Sequence, residues 1–174
     1  MDGLDDMDHR ILSALRARGA DPHVARAART LSRVGEHGAL WLAAGLVGAA
    51  VDGPRRGAWV RATALTAGAH LASMGVKRIV RRPRPAHVDP LVRTAGRHSF
   101  PSSHATSAAA AAVAFGALGA PAVTPLAAAM CLSRLVAGVH YPSDVAAGAA
   151  LGALTARLGA RWMREAAERA SGRS

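Results

Sequence analysis

Uncharged stretches alternate with short polar connections along most of the chain. Gly38 to Val51, Ala62 to Val76, Ala105 to Ser133 and Val145 to Ala156 contain no Asp, Glu, Lys or Arg. The third run holds Pro121 and Pro125 in its middle. Proline fits a first helical turn and disrupts a helix interior, so this run predicts two helices with a turn near Gly119-Ala120-Pro121. Extended to their flanks, the runs predict five apolar helices at about 36–52, 58–76, 103–119, 122–140 and 144–160. Each is slightly short of the ~20 apolar residues of a full bilayer crossing. Each is also rich in Ala and Gly, the small residues that let membrane helices pack closely. The pattern predicts an all-α integral-membrane bundle of about five transmembrane helices. A soluble helical bundle with an alanine-rich core is the alternative reading of the same runs.

Ahead of the spans, Leu4, Met7, Ile11, Leu12 and Leu15 recur at helical spacing, with Arg10, Arg16 and Arg18 off that stripe. This predicts a short amphipathic helix, lying on the membrane surface or packed on the protein's own core. Gly19 to Pro22 breaks it, and a short basic helix over about 23–34 leads into Gly35-Glu36-His37. Past Arg161, the charges Arg164, Glu165, Glu168 and Arg169 read as a solvated helix end. Asp2, Asp5, Asp6 and Asp8 stand where a secretory signal would carry cations, so no such signal is predicted. The organisation is one domain over 1–174: an amphipathic segment 1–34, a helical core 36–160 and a polar tail 161–174.

Composition sharpens this picture. The length of 174 residues suits a single domain. Hydrophobic residues make up 51% of the chain but aromatics only 3%, which excludes an aromatic-rich β-sandwich and calls for close-packed small side chains. Long apolar runs bury enough surface to exclude disorder. The balance of 22 Lys+Arg against 11 Asp+Glu, net +11, implies an anionic partner: nucleic acid, anionic lipid or a phosphorylated substrate. The cations lie among apolar spans with no aromatic stacking platform, which argues against a nucleic-acid-binding helical protein. Cys131 has no intrachain disulfide partner and, with apolar neighbours, predicts plain helix packing.

The candidate chemistry falls in three places. The long polar segment 77–102 opens with Lys77-Arg78-Ile79-Val80-Arg81-Arg82-Pro83-Arg84-Pro85; by itself, a basic cluster beside a span reads as a headgroup or topology signal. Next, Phe100-Pro101-Ser102-Ser103-His104 precedes an apolar helix. Ser102 stands at the N-cap, so first-turn N–H groups face the loop, an arrangement suited to phosphate. Third comes Ser133-Arg134 followed by His140-Tyr141-Pro142-Ser143-Asp144. An arginine within an apolar run is costly in lipid and marks a functional interior. Arg134 and His140 do not share a face of one ideal helix, so their convergence requires the helix to end near Tyr141, an end that Pro142 supplies. Asp144, at the next helix start, is within reach to orient an imidazole. Three cations, a helix N-terminus, two histidines and a carboxylate suffice for phosphoryl transfer without a metal. One histidine attacks in line and the other protonates the leaving oxygen. No HExxH, Cys/His quartet, acidic cluster or glycine-rich nucleotide loop occurs, so neither a metal nor another cofactor is predicted.

Lys77-x6-Arg84-Pro85, Pro101-Ser102-Ser103-His104 and Ser133-Arg134-x5-His140-x3-Asp144 together resemble the three-part signature of the type 2 phosphatidic acid phosphatase (PAP2) superfamily, shared with vanadium haloperoxidases. One departure is Ser103, where that family usually has glycine; the backbone N–H that would face phosphate survives the change. The resemblance implies that Lys77, Arg84 and Arg134 clamp phosphate, assisted by Ser102 and the Ser103 backbone. It implies His140 as the nucleophile that becomes phosphohistidine, Asp144 as its orienting partner and His104 as general acid. More narrowly, Gly35-Glu36-His37, Lys77 to Arg82 and Gly138 to Asp144 resemble actinobacterial decaprenylphosphoryl-5-phosphoribose phosphatases of arabinan, and so cell-wall, precursor synthesis. The implied activity is metal-independent hydrolysis of a lipid-linked phosphate monoester in the plasma membrane, with membrane lipids as surroundings. An undecaprenyl-diphosphate, phosphatidate or phosphatidylglycerophosphate phosphatase would use the same residues; a haloperoxidase, soluble and much larger, is the remoter alternative. Five spans put the N-terminus and segment 77–102 on one side, with Arg10, Arg16, Arg18, Arg26, Arg29 and Arg33, which predicts a cytoplasm-facing active site.

Overall fold

Caps and prolines cut the apolar runs into helices. In the computed structural model, residues 2–94 and 96–171 are described, with side chains over 3–94 and 96–161. The helices are α1 Asp2–Ala17, α2 Pro22–Val34, α3 Ala39–Val51, α4 Arg56–Val80, α5 Ser103–Gly116, α6 Val123–Val136 and α7 Pro142–Ser171. Among the described residues there is no strand beyond an isolated antiparallel bridge between Pro83 and His98. Asp21 caps α2 by accepting from the His23 and Val24 N–H groups, with Pro22 at the first helical position. The third uncharged run divides as expected, at a turn where Gly119 has φ 80°.

Two boundaries differ from expectation. α4 runs on to Val80, so Lys77 and Arg78 ride on its last turn rather than opening the loop. α6 stops at Val136, not near Tyr141, and Pro142 starts α7 rather than ending α6. The reason is Gly138: its φ of 70° lies in the left-handed region open to a residue without Cβ, and it turns the chain before the proline is reached. Arg134 therefore sits inside a helix, His140 in a tight connection and Asp144 in the first turn of the next helix. α7 also takes in most of the expected tail. The side chains past Arg161, including Arg164, Glu165, Glu168 and Arg169, lie outside the described residues.

α5 is the central helix, packed against α4, α6 and α7. Its approach to α7 depends on Gly148 and Gly152, one turn apart. A Cβ at Gly148 would come 2.5 Å from the Ser102 carbonyl oxygen, and one at Gly152 would overlap the Thr106 carbonyl. Small residues at this spacing let two helix backbones meet, which holds the start of α5 against the start of α7. Trp41, Phe115 and Met130 fill the larger gaps in a core otherwise lined by Ala62, Ala108, Ala111 and Ala127.

The α1 stripe divides between its two expected surroundings. Leu12 is fully buried against Ala105, Leu135, Tyr141 and Val145, whereas Leu4, Met7 and Ile11 are exposed. No single helix among the described residues is long and apolar enough to cross a membrane; α2 and the segment 36–51, bent by 53°, meet that test together. Exposed apolar side chains nevertheless line the outside of the bundle, among them Leu46 and Val51 on α3, Leu71 on α4, Leu132 on α6 and Leu154 and Leu158 on α7.

Candidate active site

The end of α2 and the turn after it, the end of α4, the loop 81–102, the start of α5, the end of α6 and the connection from α6 to α7 enclose a cavity of about 520 Å³. Six of the eight side chains singled out from the sequence line it: Lys77, Arg84, Ser103, His104, Arg134 and His140. Ser102 and Asp144 stand behind that lining, both fully buried. Ser102 serves as the N-cap of α5, its Oγ 3.5 Å from the Ala105 N–H, while its own N–H donates to the Asp144 carbonyl at 3.0 Å. The cap thus ties the two helix starts together.

His140 is 2% exposed. Asp144 Oδ2 stands 3.5 Å from its Nδ1, longer than a good hydrogen bond, and Nδ1 has no closer partner. The carboxylate itself is firmly held: Oδ2 accepts from the Tyr141 N–H at 2.9 Å and Oδ1 from Arg82 Nη1 at 3.0 Å. On the other side of the imidazole, Arg84 Nη1 lies 3.3 Å from Nε2 and donates to the Val139 carbonyl at 2.8 Å, with Arg84 Nε donating to Gly96. A carboxylate facing Nδ1 favours the tautomer with the hydrogen on Nδ1, in which the Nε2 lone pair accepts from the Arg84 guanidinium. Arg134, 3% exposed, donates from Nη1 to Ser32 Oγ at 2.6 Å. His104 Nε2 meets the Ser32 carbonyl at 3.2 Å; a carbonyl only accepts, so Nε2 carries the hydrogen. Ser103 Oγ accepts from Ser73 of α4 at 2.9 Å.

The cations of the loop and α4 end feel burial and one another. Burial, with the charge of Arg84 next in weight, lowers the Lys77 ammonium to about 8. Burial also lowers Arg84 below the usual guanidinium range, against the opposing pull of Asp144. An anion bound between them favours the charged form of each and so opposes the effect of burial.

Three supporting residues, Arg82 and Asp8 behind the lining and Ser32 within it, were not singled out from the sequence as site residues. Arg82 reaches between helices, donating to Ser143 Oγ at 2.7 Å, to Asp144 and, through Nη2, to Asp8 at 3.0 Å, with its guanidinium 4.1 Å over the Tyr141 ring. Burial opposes its charge, but the bond to Asp8 and the charge of Asp144 hold its pKa above the ordinary value. Asp8, 4% exposed, also accepts from the Ser143 N–H at 2.9 Å and from the Ser143 hydroxyl. α1 is therefore pinned to the carboxylate that faces His140. A sequence signal existed: Asp8 is four residues before Leu12, an acid in line with the buried part of the stripe. Ser32 holds both Arg134 and His104 but is an ordinary serine in a basic helix, with no signal of its own.

A family model described as the PAP2 superfamily matches residues 58–168. The decaprenylphosphoryl-5-phosphoribose phosphatase of Mycolicibacterium smegmatis is 44% identical over 144 residues, covering 81% of this chain and 80% of the relative. That of Mycobacterium tuberculosis strain H37Rv is 47% identical over 135 residues, 76% of each chain. The fold is shared with a transmembrane PAP2-type phosphatidylglycerolphosphate phosphatase from Bacillus subtilis, at TM-score 0.79 and 22% identity over 95% of this chain and 88% of the other. It is shared too with a bacterial vanadium-dependent iodoperoxidase, at TM-score 0.74 and 17% identity over 89% of this chain and 48% of the other.

Proposed function

The chain belongs to the PAP2 superfamily, and we propose that it is a membrane phosphatase that removes the terminal phosphate of decaprenylphosphoryl-5-phosphoribose to leave decaprenylphosphoryl-ribose. The substrate reading is supported by the relatives named for that compound, with which the chain shares three quarters or more of its length. The carrying observation for the chemistry is the meeting of Arg84 Nη1 and His140 Nε2 at 3.3 Å, on a cavity that Lys77 and Arg134 also line. A phosphate drawn to those cations lies against the nitrogen that must attack it.

In this mechanism Lys77, Arg84 and Arg134 hold the phosphoryl oxygens, with the Ser103 N–H and the cap at Ser102 completing the cradle. His140 Nε2 attacks phosphorus; a P–N bond forms and the bond to the ribose 5-oxygen breaks, that oxygen taking a proton from His104. Asp144 steadies the imidazole through the positive charge it acquires. Water then attacks the phosphohistidine with His104 as base, releasing inorganic phosphate and restoring both histidines. Three cations already supply the charge that a divalent ion would otherwise bring.

The exposed apolar side chains on α3, α4, α6 and α7 support a bundle held in the membrane, with the five apolar helices expected from the four uncharged runs as its spans. Five spans put the cations of α1, α2 and segment 77–102 on one side, and Arg29, Arg33, Lys77, Arg84 and Arg93 among them line the cavity, which supports a cytoplasm-facing site. The test of function is phosphate release by detergent-purified protein from decaprenylphosphoryl-5-phosphoribose, undecaprenyl diphosphate, phosphatidate and phosphatidylglycerophosphate. The highest kcat/KM is expected on the first; a preference for any of the other three overturns the substrate assignment.

A further inference from the structure

The catalytic cavity carries more positive charge than one phosphate monoester requires. Six cationic side chains line it, Lys77, Arg84, Arg134, Arg29, Arg33 and Arg93, against one carboxylate, Glu36. The first three form the clamp already described. The other three are exposed at the rim and make no ion pair among the described residues. A monoester dianion and Glu36 together leave half of the cationic charge unanswered.

The placement of the rim cations is not incidental to the catalytic side chains. α2 enters the site through Ser32, whose hydroxyl accepts from Arg134 and whose carbonyl meets His104. Arg29 and Arg33 bracket Ser32 and are one helical turn apart, on one face. Like charges at that spacing repel each other along a helix, and a bridging anion turns that repulsion into attraction. Arg93 reaches the same cavity from the loop 81–102.

We propose that Arg29, Arg33 and Arg93 form a second anion subsite, which takes the phosphodiester linking the sugar to the lipid while the monoester occupies the clamp. The inference rests on the function proposed above, since it needs a substrate with two phosphates on one sugar. It explains why α2 is docked onto the catalytic residues: the helix sets the distance between the phosphate that is kept and the phosphate that is removed. The subsite selects for a lipid-linked sugar phosphate over a phosphate ester with a single anionic group.

The test uses full-length protein in neutral detergent, free of anionic lipid, and two soluble compounds. One is ribose 5-phosphate carrying a methyl phosphodiester; the other is the methyl riboside 5-phosphate, which differs only in lacking that diester. Phosphate release gives the ratio of their kcat/KM values. Wild type is expected to favour the diester compound, and Arg29→Gln/Arg33→Gln to lower the ratio about tenfold, the size expected for lost charge-assisted contacts. Arg29→Lys/Arg33→Lys should retain most of the ratio. A merely structural role lowers both values together and leaves the ratio intact, which overturns the subsite. The same unchanged ratio is expected if these arginines contact bilayer headgroups instead, because no bilayer is present. A wild type that hydrolyses decaprenylphosphoryl-5-phosphoribose but does not distinguish the soluble pair overturns the subsite and leaves the function standing. Failure to hydrolyse the lipid-linked compound removes both.

Discussion

His140 and His104 approach the cavity from different backbones, one in the tight connection before α7 and the other in the first turn of α5, and the different roles proposed for them can be tested separately. His140, flanked by a carboxylate and a cation, is the one suited to attack; His104, bonded through Nε2 to a carbonyl, is the one suited to pass a proton. An alkoxide leaving group needs that proton and a nitrophenolate does not. With nitrophenyl phosphate, His104→Ala is therefore expected to keep an initial burst of nitrophenolate, and His140→Ala to show none. A burst from His140→Ala with silence from His104→Ala would reverse the roles. Lys77 gives a second residue-scale test. Its ammonium falls to about 8, chiefly through burial, so the charged form is present below that pH and lost above it. The kcat/KM of the free enzyme should accordingly fall as pH rises through about 8. Lys77→Arg keeps its charge over the whole range and should carry that limb to higher pH. A limb unmoved in Lys77→Arg belongs to another group.

At the scale of elements, α1 is the surprise, because its exposed apolar residues suit a membrane surface while Asp8 and Leu12 bind it to the protein. Asp8 is the link from this helix, through Arg82, to Asp144. Removing Asp8 leaves Arg82 with Asp144 and the exposed Asp5 as carboxylate partners but takes away the acceptor of the Ser143 N–H, at a cost of about 1–2 kcal/mol. Asp8→Ala should lower the denaturation midpoint in detergent by several degrees and reduce kcat more than it raises KM, since the Arg82 guanidinium loses the Nη2 partner that aims its Nη1 at Asp144. Wild-type turnover in Asp8→Ala would show that α1 is an anchor with no part in the site. The α5–α7 contact acts on the same site from the opposite direction: Gly148 and Gly152 allow the backbone approach that sets the Ser102 cap against the Asp144 carbonyl.

At the scale of the whole molecule, catalysis by a cationic clamp predicts full activity in excess chelator and inhibition by vanadate, which adopts the five-coordinate geometry of the transition state. Loss of turnover in chelator with recovery on adding Mg²⁺ would replace the clamp with a metal mechanism. Orientation is the other property of the assembled bundle. Arg97 is exposed in the loop 81–102, so an impermeant thiol reagent should fail to label Arg97→Cys in intact cells when Cys131 is replaced by Ala, and should label it after permeabilisation. Ready labelling in intact cells would place the cavity outside.

What the sequence by itself determined was local: which runs are helical, where Ser102 caps one of them, where the third run turns, and which residue types could handle a phosphate. These depend on interactions within a few positions of one another, and Lys77, Arg84, Ser103, His104, Arg134 and His140 all reach one cavity. The end of α6 was misplaced because a proline and a glycine compete there, and only the packed connection shows that Gly138 turns the chain first. The structure alone decided the supports: Asp8 to Ser143 across 135 positions, Arg134 to Ser32 across 102, and His104 to Ser32 across 72. Such pairings leave little pattern in a single sequence, because a side chain's partner at that separation is chosen by how whole helices pack. The cavity's second set of cations belongs with them: Arg29 and Arg33 read as ordinary charges on a basic helix until α2 is seen docked beside Arg134.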